Sequence, residues 1–218
     1  MNVLPSKAFR PMTLLQAIRE RRAVRDYRPE PVSAGLVYQL IASASWAPSA
    51  MNEQPWHFTV VTDKALLDEI SRQAKLWLSR SVASMPRPAH FRDLMADESF
   101  HILYHAPVLI IISAPAKNQW ATEDCALAAQ NLMLAATGLG LGSCWIGFAQ
   151  GWLNTPEACE LLNLSNQNIR VAPLVVGHPK APPPAVARKA PAVSWVGGSA
   201  PLAWPSGDKP LHNALFHP

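Results

Sequence analysis

The sequence predicts one packed domain built from both helices and short strands, and three observations carry that prediction. Hydrophobic residues make up 49% of the 218 positions and charged residues only 16%, a composition that belongs to a folded core and not to a disordered chain. Apolar residues recur at helical spacing in some segments and alternate, or run together briefly, in others. The long stretch between Asp124 and Glu157 carries no charge, yet Gln130, Asn131, Gly138, Gly140, Gly142 and Ser143 break it into runs far short of the ~20 residues a bilayer needs.

Thr13 followed by Gln16 is a capping-box pattern, so a helix is expected to start at Thr13 and to end before Tyr27, with Arg21, Arg22 and Arg25 in its last turns. Ser33 opens a second helix with Leu36, Val37, Leu40, Ile41 and Ala44 on one face, closed by Pro48. A polar loop leads to a strand in which Trp56, Phe58 and Val60 alternate with His57 and Thr59. Asp63 then caps a helix bearing Leu66, Leu67, Ile70, Ala74 and Trp77. Residues 80–100, with Pro86, Pro88 and His90, read as an irregular segment of the kind that covers a site.

Val108 to Ile112 is a short β-branched run, as in a strand buried on both faces. Glu123 to Thr137 is apolar nearly all round, which predicts a buried or subunit-facing helix stopped at Gly138. Cys144 to Phe148 reads as a strand, Thr155 and Pro156 as a helix start, and Ile169 to Val176 as a last strand in which Pro173 predicts an edge or a bulge. From about residue 178 the chain is proline-rich and is expected to lie extended as part of the same domain.

The balance of charge limits the partners. A net charge of +4 is a mild excess that suits phosphate ligands better than wholesale nucleic-acid binding. Cys125, Cys144 and Cys159 form no CxxC pair, which argues against a disulfide framework or zinc knuckle and for a reducing, cytoplasmic setting. The N-terminal residues lack the apolar run of a secretory signal. His101 and His105 are spaced i, i+4 without an evident third ligand, so they read as a satisfied or surface pair and no metal site is expected. Nucleophile elbows and Walker loops are absent from the sequence.

Three clusters remain as candidates for chemistry. Arg21, Arg22 and Arg25 on one helix region could hold a phosphate, or could decorate a solvated face balanced by Glu20 and Asp26. The loop Pro48, Ser49, Asn52, Gln54, Pro55 and Trp56 could read the polar edge of a heterocycle, or could satisfy its own backbone. Gly138, Gly140 and Gly142 lie between helix and strand, the reverse of a dinucleotide fingerprint, and would let the backbone at Ile146 and Gly147 approach a flat ligand.

Together, RRAVRDY at 21–27, APSAMNEQPWHF at 47–58, EDCALAAQNLMLAATGLGLGSCWIGF at 123–148 and the late GHPKAPPPAVARKAP resemble the nitroreductase family in order and spacing, over roughly residues 13–190. The resemblance implies an α+β fold with a central, mostly antiparallel sheet flanked by helices. It also implies a homodimer with two FMN sites shared between chains. In it, Arg21 and Arg188 correspond to phosphate partners assisted by Arg22, and Arg25 to the cation beside the flavin pyrimidine. Pro48, Ser49, Ala50, Asn52 and Gln54 correspond to a loop against the ring system and ribityl chain, partly across the dimer. Ile146 and Gly147 correspond to backbone near the flavin N5 and O4. Ala23 stands where the family often has serine, and Val186 where some members have lysine; each change removes a phosphate donor.

The activity so implied is transfer of hydride from NAD(P)H through FMN to a small electron-poor acceptor, nitroaromatic, quinone or similar, by a ping-pong cycle with no dedicated catalytic side chain. A non-catalytic flavin carrier or sensor is the alternative.

Overall fold

The computed structural model describes residues 12–81 and 89–198, with backbone alone for 89–92. The chain separates into two compact units, Met1–Pro183 and Pro184–Pro218. Within the second, residues 184–198 are exposed and carry no helix or strand.

The first unit holds a four-stranded antiparallel sheet in the order β1-β2-β4-β3, where β1 is His57–Val61, β2 Val108–Pro115, β3 Gly142–Trp145 and β4 Asn168–Gly177. One face packs on α2 (Ala34–Ala44) and α5 (Ala121–Gly138) through Leu40, Ala44, Ala128 and Leu132 against Ile110, Ile112 and Leu174. The other packs on α3 (Lys64–Ser81) and α6 (Gly147–Leu153) through Ile70, Ala74, Ala149 and Leu153 against Leu109, Ile111 and Val175. Helices on both faces explain why β2 reads as an unbroken apolar run, with Val108 through Ala114 all buried. The remaining helices are α1 (Leu14–Glu20), α4 (Ala89–Ala96) and α7 (Pro156–Leu161). The expected α+β architecture with a central antiparallel sheet is thus the one observed.

Several local expectations are met by their own chemistry. Thr13 and Gln16 form the capping box of α1, Ser33 caps α2, and the Asp63 carboxylate accepts from the Leu66 amide at the start of α3. Four others need correction. The first helix stops at Glu20, so the arginines do not share a helix face; residues 21–27 run extended, joined to β3 by a parallel bridge between Ala23 and Ser143. Arg22 causes part of this, because its Nη1 donates to the carbonyls of Arg19 and Arg21 and caps the helix end.

The stop of α5 is set by Gly140 and not Gly138. Gly140 takes a left-handed φ of 73°, while the Leu141 amide reaches back to the Ala136 carbonyl, as in a Schellman ending. The strand expected from Cys144 to Phe148 spans Gly142–Trp145 and gives way to α6 at Gly147. Pro173 lies in β4, a central strand. Its carbonyl accepts from the Ile146 amide where the pairing with β3 ends, and the register shift in the neighbouring ladder falls at Val171. A proline is tolerated there because its missing N–H faces the side where β3 has run out. Of the expected covering segment, Pro86 and Pro88 lie outside the described residues, and residues 89–96 are helical.

The face between α3 and α6 offers a stability test. A Cβ built on Gly151 would lie 2.2 Å from two ring carbons of Trp77. Gly151→Ala gains about 1 kcal/mol of helix propensity but overpacks the interface by about 2–3 kcal/mol, so the melting temperature should fall. Trp77→Leu in the same chain should recover most of the loss; equal melting temperatures for wild type and Gly151→Ala would show that the indole moves aside freely.

Candidate functional site

The arginine segment is seated by shape. A Cβ on Gly142 would come within 2.8 Å of three side-chain atoms of Val24, so the glycine exists to let this segment lie on β3, not to admit a flat ligand at that point. The Val24 amide donates to the Ser143 carbonyl at 3.0 Å, and the Tyr27 hydroxyl donates to the Val24 carbonyl at 2.7 Å. In this extended run Val24 and Tyr27 are buried, whereas Ala23 and Arg25 are exposed and Arg21 is half-exposed.

The electrostatics of this edge are cationic. Burial pushes the Cys144 thiol above its ordinary range, and Arg25 and then Arg21 pull against that shift, which places both guanidiniums in the field of one buried sulfur. The Arg25 guanidinium carbon lies 5.9 Å from the centre of the Tyr104 ring, within cation–π reach. Burial raises the Tyr104 phenol above its usual value, with Arg25 opposing. The Cys125 thiol is pushed up to about 12, mainly by burial. Neither Cys125 nor Cys144 is therefore a thiolate at neutral pH. Arg22 is spent on the end of α1, with its Nε buried and without a hydrogen-bond partner among the described residues.

Because Ala23 is level with Ser143 in a parallel bridge, Arg25 runs alongside the end of β3, where Ile146 and Gly147 follow. The Ile146 amide is committed to Pro173, whereas Gly147 opens α6. Arg21, Ala23, Arg25, Ile146 and Gly147 are thus gathered at the β3 edge of the sheet.

The polar loop lies elsewhere. Ala50–Asn52 forms a single 3-10 turn in which Met51, Asn52 and nearby Gln54 have φ of 52°, 56° and 49°. Left-handed backbone costs about 1–2 kcal/mol for a residue with a side chain, so three such residues in one loop mark a conformation held for a purpose. The Ser49 hydroxyl accepts from the Gln54 amide at 2.9 Å, and the Gln54 side chain donates to Asn52 at 3.0 Å. Asp124, 2% exposed in the first turns of α5, accepts from the Ala50 amide at 2.9 Å, and its second oxygen has no partner among the described residues. This anchor lies 74 residues away in sequence, beyond the reach of spacing patterns, and its sequence signal is one of two adjacent carboxylates, Glu123 and Asp124, at the start of a largely apolar helix.

Pro48 to Gln54 precedes β1, while the arginines lie beside β3, and these are the two outer strands. With strands about 4.8 Å apart, three intervals separate them by about 14 Å. One chain therefore does not bring the two clusters together. Arg188 belongs to the C-terminal unit, where it is exposed.

Comparison with known proteins agrees with this architecture. A nitroreductase with bound FMN from Bacteroides fragilis superposes with a TM-score of 0.73 at 30% identity, covering 84% of this chain and 98% of that one. The nitrobenzene nitroreductase of Ectopseudomonas oleovorans is 30% identical over 149 residues, 54% of this chain and 66% of the relative. An iodotyrosine deiodinase from Thermotoga neapolitana is 27% identical over 137 residues, 56% of this chain and 66% of the relative. The matches span just under two thirds of both curated relatives' length. The nitroreductase family profile matches residues 18–178, from within the first helix through the last strand, and the chain belongs to that family.

Proposed function

We propose that the protein is an FMN-dependent oxidoreductase that takes hydride from NADH or NADPH and reduces a small electron-poor acceptor, acting as a homodimer. The observation that carries this reading is the division of the candidate site: a cationic edge beside β3 and a strained amide loop beside β1, each an incomplete half. In a symmetric dimer the loop of one chain meets the arginines of the other. Apolar residues exposed along α1, α2 and α5 and just past the end of α2 support the pairing, since Leu14 is 66%, Tyr38 72%, Leu127 45% and Trp46 87% exposed in the single chain.

The residues fit the cofactor. Arg21 is suited to a phosphate dianion, Arg25 to the electron-rich pyrimidine edge, and the Asn52 and Gln54 side chains to the ring's polar atoms. FMN, when bound, supplies the two-electron chemistry, and the protein binds and orients it. The buried thiols and phenols described above stay protonated and take no part as bases. Nitroaromatics and halogenated phenols are acceptors of the right kind, given the activities named for the relatives, and quinones share their electron-poor character. The three cysteines, all free, suit a reducing, cytoplasmic setting, and no helix among the described residues is long and apolar enough to cross a membrane.

The deciding experiment is an anaerobic absorption spectrum before and after NADH or NADPH. Flavin bands near ~450 nm that bleach support the enzyme, bands that persist favour a carrier or sensor, and no bands after adding FMN sink the assignment. The loop supplies a second check. Asp124→Ala removes the acceptor that pins Ala50, and FMN should dissociate about tenfold more readily in a fluorescence titration. An unchanged dissociation constant would mean the loop does not contact the cofactor.

A further inference from the structure

The histidine pair that lacks a third ligand in the sequence acquires one in the fold. Asp68, on the second turn of α3, places Oδ1 3.2 Å from His101 Nε2. Tyr104 and His105 both take left-handed φ, 53° and 52°, so the chain reverses and lays the His105 ring on that of His101 with centroids 4.1 Å apart. One ligand atom from each of Asp68, His101 and His105 lies within 4.8 Å of the other two. All three side chains line two cavities, of 420 Å³ and 430 Å³, that open on either side of the cluster.

We propose that Asp68, His101 and His105 bind a divalent first-row transition-metal ion, with its remaining coordination positions facing these two cavities. Two imidazoles and a carboxylate suit zinc and its neighbours and do not suit magnesium, which prefers an all-oxygen shell. Ligand atoms held at about 2.1 Å from a tetrahedral ion lie roughly 3.4 Å from each other, close to the separation already present between Asp68 and His101.

Two groups oppose the ion, and both yield. His101 Nδ1 accepts from the His105 amide at 3.3 Å; binding through Nε2 moves the ring proton to Nδ1 and gives up that long contact. Lys64 donates to the other oxygen of Asp68 at 2.6 Å, but its side chain is 85% exposed and free to swing into solvent. An ion here would tie α3 to the turn that carries Tyr104, whose ring lies beside Arg25. The site stands independently of whether FMN binds.

The test uses the full chain purified without a histidine tag, titrated calorimetrically with zinc and, separately, with magnesium. One zinc ion per chain is expected, with no matching magnesium heat. Affinity should fall at least about tenfold in His105→Ala and in Asp68→Asn, judged against the effect of lost shell groups on metal sites. It should stay unchanged in His57→Ala, an exposed histidine on β1, and rise by about two- to fivefold in Lys64→Ala, which removes a screened like charge. Circular dichroism confirms that each variant is folded. Absence of stoichiometric zinc, zinc binding indifferent to both ligand variants, or magnesium binding of equal strength would overturn the proposal.

Discussion

Arg25→Ala is expected to slow reduction of the FMN-loaded protein by NADH or NADPH about a hundredfold, read in an anaerobic rapid-mixing experiment. Arg25 is exposed on an extended segment, fixed in position by the Val24–Ser143 hydrogen bond and by the buried Tyr27 two residues on. A guanidinium keeps its charge at every working pH, and one already oriented by its neighbours needs no reorganisation when negative charge develops beside it. Tyr104 serves that orientation, because the face of its ring lies under the guanidinium. Arg25→Lys should recover part of the rate, since the charge remains while the planar fork is lost. The loss should appear in the limiting rate more than in the coenzyme concentration that half-saturates it. Equal reduction rates in wild type and Arg25→Ala, with FMN fully bound in both, would remove Arg25 from the chemistry.

Arg170→Ala is expected to cost about 3–5 kcal/mol of stability and to lower the melting temperature by roughly 10 °C, while leaving the reduction rate of the folded fraction unchanged. Arg170 is 3% exposed, an unusual place for a cation. Its guanidinium donates to the carbonyls of Leu153, Ser165 and Asn168 and to the Cys159 sulfur, partners that carry no negative charge. Leu153 ends α6, so the charge also meets the negative end of that helix. Asn154 clamps the backbone of the same residue from both sides, accepting from its amide and donating to its carbonyl, each at 2.9 Å. Removing the side chain strands the buried Leu153 carbonyl and takes the donor from the part-buried carbonyls of Ser165 and Asn168. Arg170→Met, which restores volume but no donors, should recover little; recovery to near wild-type stability would show that packing, not hydrogen bonding, is what Arg170 supplies.

The expectations that held are those whose cause is local. Capping by Thr13, Ser33 and Asp63, the apolar face of α2 and the doubly buried β2 follow from side chains within a few residues of the backbone they govern. The errors arose where a distant segment intervened. The first helix ends at Glu20 because residues 21–27 find a better partner in β3, a contact that depends on the bare backbone of Gly142. Pro173 predicts an edge or a bulge; its strand is central, so the edge fails, while the ladder with β2 does shift register at Val171, and the proline is tolerated because β3 is one residue too short to need its N–H.

The same division applies to the chemistry. By itself the sequence determined the family pattern and the candidate clusters, the arginines at 21, 22 and 25 and the amide loop at 48–54, because such motifs are contiguous and their order survives in one dimension. Only the tertiary structure decided that these clusters occupy opposite edges of one sheet, that Asp124 anchors the loop, and that Asp68 completes the histidine pair. The last two are meetings of residues more than thirty positions apart, and a spacing pattern carries no information about which distant side chains the packing of helices on a sheet brings within a few ångströms.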